Sequence, residues 1–202
     1  MIKTKGFTLI EVMLVNAIMA VVIGVVALLW QFLLKNYDFT MSQFQLTENA
    51  NYAVRKMETE LRQAKEAMQG AYPLAILDDN QIAFYADIDH NGSVERLRYF
   101  VLNGNLMRGK TDPSGNPPQY NLATEKTTIV VSQVTPTGGP LFTYYNLNWP
   151  RDTVNNPLPP ALRPLETRLV KIHIPITLKS QTGVATQSAE ATVQIRNLKD
   201  NL

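Results

Sequence analysis

A long apolar segment near the N-terminus limits what this chain can fold into more than any other feature of its sequence. Residues 7–34 are almost entirely apolar, with Glu11 and Asn16 inside the segment and Gln31 near its end. An α-helix rises about 1.5 Å per residue, so a segment of this length exceeds the roughly 20 residues that cross a bilayer core. We therefore predict a membrane-spanning helix over residues 7–34.

The residues before this segment decide its orientation. Lys3 and Lys5 precede it, and the positive-inside rule keeps such a basic end in the cytoplasm. Residues after about 35 are then expected on the far side of the membrane. A secretory signal peptide has its small-residue cleavage site after the apolar region, whereas here the small residue Gly6 comes before it. An ordinary secretory signal peptide is therefore not indicated.

The charge and cysteine content exclude several function classes. The 19 basic residues, less Lys3 and Lys5 at the N-terminus, equal the 17 acidic ones, so the body of the protein is neutral. We expect no direct nucleic-acid binding, because that requires a basic surface. The sequence has no cysteine, which excludes disulfides, thiolate metal sites and thiol nucleophiles. Its length suits one domain in addition to the apolar helix.

Glu11 is the unusual residue of the apolar segment. A carboxylate costs on the order of 2.5 to 3.5 kcal/mol at the centre of a membrane-spanning helix, and such residues are usually functional. Residues 5–12, Lys-Gly-Phe-Thr-Leu-Ile-Glu-Val, resemble the prepilin signature of type IV pilins and type II secretion pseudopilins. The other interpretation is a carboxylate at the interface of an ordinary anchor helix.

The resemblance implies roles for three residues. A membrane-embedded peptidase would cut between Gly6 and Phe7, which makes residues 1–6 a cleaved cytoplasmic leader, and would methylate the new amine of Phe7. In filaments of this family the carboxylate that matches Glu11 pairs with the terminal amine of a neighbouring subunit, and such pairing offsets the burial of both charges. Many major pilins have a proline within this helix, where this chain has Gly24 instead.

The resemblance also implies partners and a location. The partners would be other minor and major pilins or pseudopilins, the prepilin peptidase and an inner-membrane assembly platform. The protein would cross the inner membrane once, with its C-terminal domain in the periplasm, before it enters a pilus or pseudopilus filament.

Beyond the apolar segment the pattern becomes that of an amphipathic helix. Residues 35–69 contain neither proline nor glycine, and apolar residues recur at steps of four and three. Glu58 and Arg62 form an i,i+4 pair, and Gly70 with Pro73 marks the predicted end of the helix. The stripe expected to pack against a sheet is Ala50, Val54, Met57, Leu61, Ala64 and Met68.

Alternating apolar residues predict antiparallel strands after residue 81. A β-meander is expected at 81–109, with Asn103 and Gly104 as a hairpin turn. Residues 112–165 are proline-rich and are expected to be irregular apart from two short strands, at 128–134 and 141–145. A terminal hairpin is expected at 167–196, formed by strands 167–178 and 187–196 about a turn at 181–183.

These elements predict an α+β fold for the globular domain, residues 35–202. One long N-terminal helix, with a transmembrane half and an amphipathic half, packed on an antiparallel β-sheet is the pilin architecture. Two short runs, at 49–64 and 193–197, resemble J-type minor pseudopilins and W-type minor pilins. By implication such a subunit is a minor component that helps to initiate assembly at or near the filament tip.

An acidic turn holds the richest cluster of candidate metal ligands. Residues 87–92 have the D-x-D-x-N-G spacing of the first half of an EF-hand calcium loop, but Arg98 stands where the bidentate glutamate belongs. A calcium site and a polar hairpin turn both remain open as interpretations. The candidate calcium ligands are Asp87, Asp89, Asn91, Ser93 and Glu95. No other cofactor is expected.

The sequence contains no pattern typical of catalysis. It lacks a G-x-S-x-G elbow, an H-E-x-x-H helix and a glycine-rich phosphate loop, and two histidines, His90 and His173, are too few for a zinc site without cysteine. We expect no enzymatic activity. Four aromatic residues lie in or beside the proline-rich region: Tyr120, Tyr144, Tyr145 and Trp149. They are expected either to bind a sugar or partner subunit, or to cover the edge of the sheet.

Two function classes stay open at this point. The first is a structural subunit that assembles into a filament. The second is a signal-anchored periplasmic enzyme or binding module that does not polymerise. The mature N-terminus separates them, because a methylated Phe7 supports the first class and a retained Met1 supports the second.

Overall fold

One long helix and two antiparallel β-sheets make up the described part of the chain. The computed structural model describes residues 6–135, 139–180 and 183–198. Helix α1 is the 54-residue segment Leu9–Arg62. By its internal contacts the chain divides into an N-terminal unit, Met1–Ser42 with Ser180–Thr182, and a globular unit, Gln43–Lys179 with Gly183–Leu202.

The N-terminal unit contains the apolar part of α1. Every side chain from Leu9 to Leu34 is exposed. The helix is long and apolar enough to cross a membrane, and its most apolar stretch buries nothing within the chain. An apolar surface of this extent requires a bilayer or other protein chains to cover it. Lys3 and Lys5 of the predicted leader lie outside the described residues.

In the globular unit α1 ends earlier than predicted, at Arg62 rather than at residue 69. The chain leaves the helix because the N–H of Lys65 donates to the carbonyl oxygen of Tyr85 (2.9 Å) and Ala64 forms a β-bridge with Ala86. Contacts with the sheet thus override the local preference for helix. Met68, predicted to pack on the sheet, is therefore 45% exposed, and the other five residues of the stripe are buried.

The first sheet has five strands that follow one another in sequence and in space. Asn103 and Gly104 both have positive φ (51° and 72°), which a type I′ turn requires, at the hairpin predicted from the sequence. The sequence did not indicate the first strand, which has four residues directly after Pro73. The strands are β1 (Leu74–Leu77), β2 (Gln81–Ala86), β3 (Glu95–Leu102), β4 (Asn105–Thr111) and β5 (Lys126–Ser132).

The second sheet has three described strands, in the order β6, β7, β8. They are β6 (Phe142–Tyr145), β7 (Leu169–Ser180) and β8 (Gly183–Gln194), and the short helix α2 (Arg163–Glu166) lies between β6 and β7. Residues 181 and 182 of the predicted terminal turn lie outside the described residues. The single sheet expected from the sequence is thus divided in two.

One hydrophobic core joins the globular part of α1 to both sheets. Helix residues such as Met57 and Leu61 pack with Phe84 and Tyr99 of the first sheet and with Ile172 of the second. Fully burying such side chains stabilises the fold by about 1.5–3 kcal/mol each. The predicted α+β class, a long N-terminal helix on antiparallel sheet, is confirmed.

A buried polar group also ties α1 to the first sheet. Glu60 accepts two hydrogen bonds from the guanidinium of Arg108, at 2.8 and 3.1 Å, and one from the hydroxyl of Tyr99 at 2.6 Å. All three side chains are largely buried. Because a buried carboxylate needs such partners, this contact fixes the position of the helix on β3 and β4.

The opposite face of the first sheet carries a further carboxylate whose side chain is largely covered. Glu125 pairs with the guanidinium of Arg98 and lies 3.9 Å from Arg96. It also covers Gly109, where a Cβ would come 2.4 Å from Oε1 of Glu125. Only glycine at this position leaves space for the ion pair, so residues before β5 lie close against the sheet.

Candidate processing and assembly site

The predicted cleavage position lies just before α1. Gly6, Phe7 and Thr8 are outside the helix, and Phe7 is 86% exposed. A Cβ built at Gly6 meets no atom within 4 Å, and the backbone there is not left-handed. Among the described residues there is therefore no contact that requires glycine at this position.

Glu11 caps the helix to which it belongs. Leu9 is the first helical residue, so Thr8 is the N-cap and Glu11 the third helical residue. Oε2 of Glu11 accepts hydrogen bonds from the backbone N–H of Thr8 (2.8 Å) and from its hydroxyl (2.9 Å). The N–H of Glu11 lies 3.4 Å from the Thr8 hydroxyl oxygen. This reciprocal arrangement is a capping box.

The capping box satisfies only part of the carboxylate. Both hydrogen bonds reach Oε2, and among the described residues none donates to Oε1. Oε1 can therefore accept a hydrogen bond from a further donor while the cap stays intact. The positive end of the helix dipole at this position also favours the ionised carboxylate.

Sequence reasoning assigned Glu11 a role but missed Thr8. The signal was available, because Thr8-Leu9-Ile10-Glu11 has the T-x-x-E spacing of a capping box and comes directly before an apolar run. The structure brings Thr8 and Glu11 together and leaves Gly6 and Phe7 exposed beside them.

The acidic turn between β2 and β3 brings three of its five candidate ligands together. One oxygen from each of Asp87, Asp89 and Glu95 lies within 4.8 Å of the others. Oδ1 of Asp87 is buried without a hydrogen-bond partner among the described residues. The remaining two candidates shape the turn, since Asn91 Oδ1 accepts the N–H of Ser93 at 2.7 Å.

Two lysines already offset part of the negative charge of this cluster. Lys65 Nζ is 3.1 Å from Asp87 Oδ2, and Lys110 Nζ is 3.5 Å from Glu95 and 3.9 Å from Asp89. Burial raises the pKa of Asp87, but the hydrogen bond and charge of Lys65 outweigh it and lower that pKa below its ordinary value.

The same turn lacks the remainder of a calcium site. Calcium takes 6–8 oxygen ligands. Arg98, at the EF-hand glutamate position, is in β3 and pairs with Glu125 instead. The turn thus offers a partial ligand set around ammonium groups, and backbone N–H groups already use several of its oxygens.

The aromatic residues near the proline-rich region mostly have structural contacts. Tyr144 is fully buried and its hydroxyl donates to the Asp78 carbonyl oxygen, while that of Tyr120 donates to the Val94 carbonyl oxygen (2.7 Å each). Trp149 is 38% exposed and packs on Tyr145, with ring centroids 4.9 Å apart. These contacts favour the interpretation that the aromatic residues cover the sheets over the interpretation that they bind a sugar.

Comparison with known proteins bears on the N-terminal site. The prokaryotic N-terminal methylation motif matches residues 1–27, which include Gly6, Phe7 and Glu11. This is the prepilin-type motif of type IV pilins and pseudopilins, so the resemblance stated from residues 5–12 is confirmed. No curated protein sequence matches the chain.

Proposed function

We propose that this chain, which carries the prepilin-type methylation motif, is a minor pilin or pseudopilin subunit. It assembles into a type IV pilus or type II secretion pseudopilus and helps to initiate that filament. Its role is structural and requires neither catalysis nor a cofactor. Before assembly the subunit is anchored in the inner membrane by the apolar part of α1, and its globular domain faces the periplasm.

One observation carries the proposal. A carboxylate, Glu11, lies at the start of a helix whose side chains are exposed from Leu9 to Leu34. Gly6 and Phe7, just before it, are exposed and are not packed against the described residues. A simple membrane anchor requires the apolar surface but requires neither Glu11 nor Gly6. A subunit that is cleaved and then packs helix against helix uses all three.

The proposal assigns each group a step. Cleavage after Gly6 frees the amine of Phe7, and the prepilin peptidase methylates it. Oε1 of Glu11 then accepts a hydrogen bond from the N-terminal amine of another pilin or pseudopilin subunit on the assembly platform. Both charges are thereby paired inside the filament, which removes most of the cost of burying either one.

Mass spectrometry of the mature N-terminus tests this function. The wild-type chain should begin with a methylated Phe7, and Gly6→Val should retain residues 1–6 because a branched side chain obstructs an extended backbone in a protease cleft. The substitution should not disturb folding, since a Cβ at Gly6 would lie within 4 Å of no atom of the described residues.

Gly24→Val is the matched control, because Gly24 also has open space around its Cβ position. This variant should be cleaved like the wild type. Retention of Met1 in the wild-type chain would instead support a signal-anchored enzyme or binding module, and normal cleavage of Gly6→Val would contradict the role given to Gly6.

A further inference from the structure

A groove lies beside α1 in the globular unit, separate from the processing site. Its volume is about 630 Å³, within the roughly 300–1,000 Å³ typical of binding clefts. The turn after β2 and strand β4 contribute Ile88 and Arg108. Helix α1 contributes Tyr52, Arg55, Lys56, Thr59, Glu60 and Gln63.

The lining of this groove carries an excess of positive charge. Glu60 and Arg108 neutralise each other through two hydrogen bonds. Arg55 and Lys56 remain, and neither side chain forms an ion pair or hydrogen bond with any residue in the described part of the chain. Two adjacent cations without an acidic partner therefore border the groove.

This lack of partners contrasts with the cations nearby. On the same helix Arg62 pairs with Glu58, and just beyond it Lys65 pairs with Asp87. Lys110, on β4 beside Arg108, contacts three carboxylates. The sequence thus supplies acids for the surrounding basic groups and leaves Arg55 and Lys56 without one.

The groove also offers apolar contact area. Tyr52 is 68% exposed, and Ile88 is half-buried on the other side of the lining. Tyrosine and arginine are enriched among the residues that dominate binding energy at protein interfaces. An exposed tyrosine next to two unpaired cations is therefore suited to a polypeptide that presents carboxylates beside an apolar side chain.

We propose that this groove binds an acidic segment of a neighbouring subunit in the filament. Two carboxylates of that segment pair with Arg55 and Lys56, and an apolar side chain near them packs against Tyr52. The inference rests on the proposed function, because the filament supplies the neighbour. Such contacts specify which subunit sits beside this one, since charge complementarity contributes more to specificity than to affinity.

Site-directed cross-linking tests the proposal in cells that contain the native assembly machinery. The sequence has no cysteine, so Thr59→Cys introduces a unique thiol into the groove lining. A maleimide carrying a photoreactive group is attached there, and mass spectrometry identifies the cross-linked segment. We expect a segment rich in Asp and Glu from another subunit that carries the same N-terminal motif.

Charge removal shows whether the cations make the contact. In Arg55→Gln/Lys56→Gln the yield of this cross-link should fall about three- to tenfold, the loss expected for two partly exposed ion pairs. Glutamine keeps a similar helix propensity, so α1 is preserved. The control is Lys126→Gln/Arg151→Gln, which removes two exposed cations outside the groove and should leave the yield unchanged.

The content of sheared filaments separates failure of this inference from failure of the proposed function. If the chain is present in filaments but the cross-link is absent, maps to a segment without acidic residues, or is equally strong in both double variants, the groove inference is overturned and the function stands. If the chain is processed but never enters filaments, both are overturned.

Discussion

At the scale of single residues, Glu11 combines two tasks that mutation can separate. Its Oε2 accepts hydrogen bonds from Thr8 within the chain, and its Oε1 is open to another molecule. Glu11→Ala should leave membrane insertion intact but lower the share of the chain in filaments by about tenfold or more. The reason is that the buried N-terminal ammonium of the neighbouring subunit would be left unpaired, which costs about 3–5 kcal/mol. Quantitative immunoblots of membrane and sheared-filament fractions measure both effects.

Glu11→Gln distinguishes capping from charge pairing. Glutamine can replace glutamate in a capping box but carries no charge. The filament content of this variant should resemble that of Glu11→Ala if pairing with an amine is the essential contact. Thr8→Ser retains the capping hydroxyl and serves as the control. Wild-type filament levels in both Glu11 variants would remove Glu11 from assembly.

At the scale of elements, the acidic turn between β2 and β3 gives a test of its two interpretations. Lys110 contacts Asp89, Glu95 and Asp112. Burial lowers the pKa of Lys110, but these carboxylates together outweigh burial and raise that pKa above its ordinary value. Because the ammonium group already lies among these carboxylates and offsets part of their charge, calcium should not change the melting temperature of the wild-type chain. In Lys110→Gln, millimolar calcium should raise it by about 3–5 °C.

Differential scanning calorimetry in detergent measures these shifts, and Lys126→Gln, on exposed β5, is the control. If calcium raised the melting temperature of the wild-type chain as much as that of Lys110→Gln, this would show that calcium binds beside the lysines. In that case the calcium interpretation of Asp87, Asp89 and Glu95 would be the correct one.

The contact between α1 and the first sheet predicts a loss of stability in alkali. Burial, and then the negative charge of Glu60, raises the pKa of Tyr99 above its ordinary value near 10. The neutral hydroxyl therefore stabilises the fold below about pH 10, and this contribution is lost as the pH rises from there toward the higher pKa of the folded state. Tyr99→Phe should cost about 1–3 kcal/mol near neutral pH, since Glu60 loses a hydrogen bond.

Urea unfolding at several pH values measures the prediction. The decrease in the free energy of unfolding above about pH 10 should be smaller in Tyr99→Phe than in the wild type. Tyr52→Phe, at an exposed tyrosine of helix α1, is the control and should follow the wild-type curve. If the free energy of unfolding fell equally steeply above about pH 10 in Tyr99→Phe and in the wild type, Tyr99 would not be the cause of the alkaline loss of stability.

The same elements show which parts of the fold could be predicted from the sequence. Period-two alternation and the Asn103-Gly104 dipeptide are local signals, and they placed β2, β3 and their hairpin partner β4 correctly. The end of α1 was wrong because it depends on the bridge from Ala64 to Ala86, which no local pattern encodes. The division into two sheets likewise depends on pairing of β6 with β7, which are distant in sequence.

The prediction of the candidate site needed less tertiary information than the prediction of the fold around it. Gly6, Phe7 and Glu11 lie within a few residues of one another, and their chemistry can be read without tertiary structure. The groove was not predictable, because it depends on contact between α1 and Arg108, whose partner Glu60 is far from it in sequence.

At the scale of the whole molecule, the two units differ in what stabilises them. Every residue of the main core cluster comes from Ala50 onward, and residues 9–34 contribute nothing to it. The globular unit therefore contains its own stabilising contacts, whereas the N-terminal unit relies on a membrane or on neighbouring helices. Covering that apolar surface is the driving force available for insertion into a membrane.

This difference predicts that a chain truncated to residues 43–202 is soluble without detergent and unfolds cooperatively. It keeps the helix residues of the main core and loses the exposed apolar part of α1, Leu9 to Leu34. Size-exclusion chromatography should give a monomer, and circular dichroism should show one thermal transition. Truncation to residues 63–202 is the control, because it also removes Ala50, Val54, Met57 and Leu61 from the core and should aggregate. A 43–202 fragment that aggregates likewise, or melts without cooperativity, would show that the N-terminal unit is required for the fold of the globular unit.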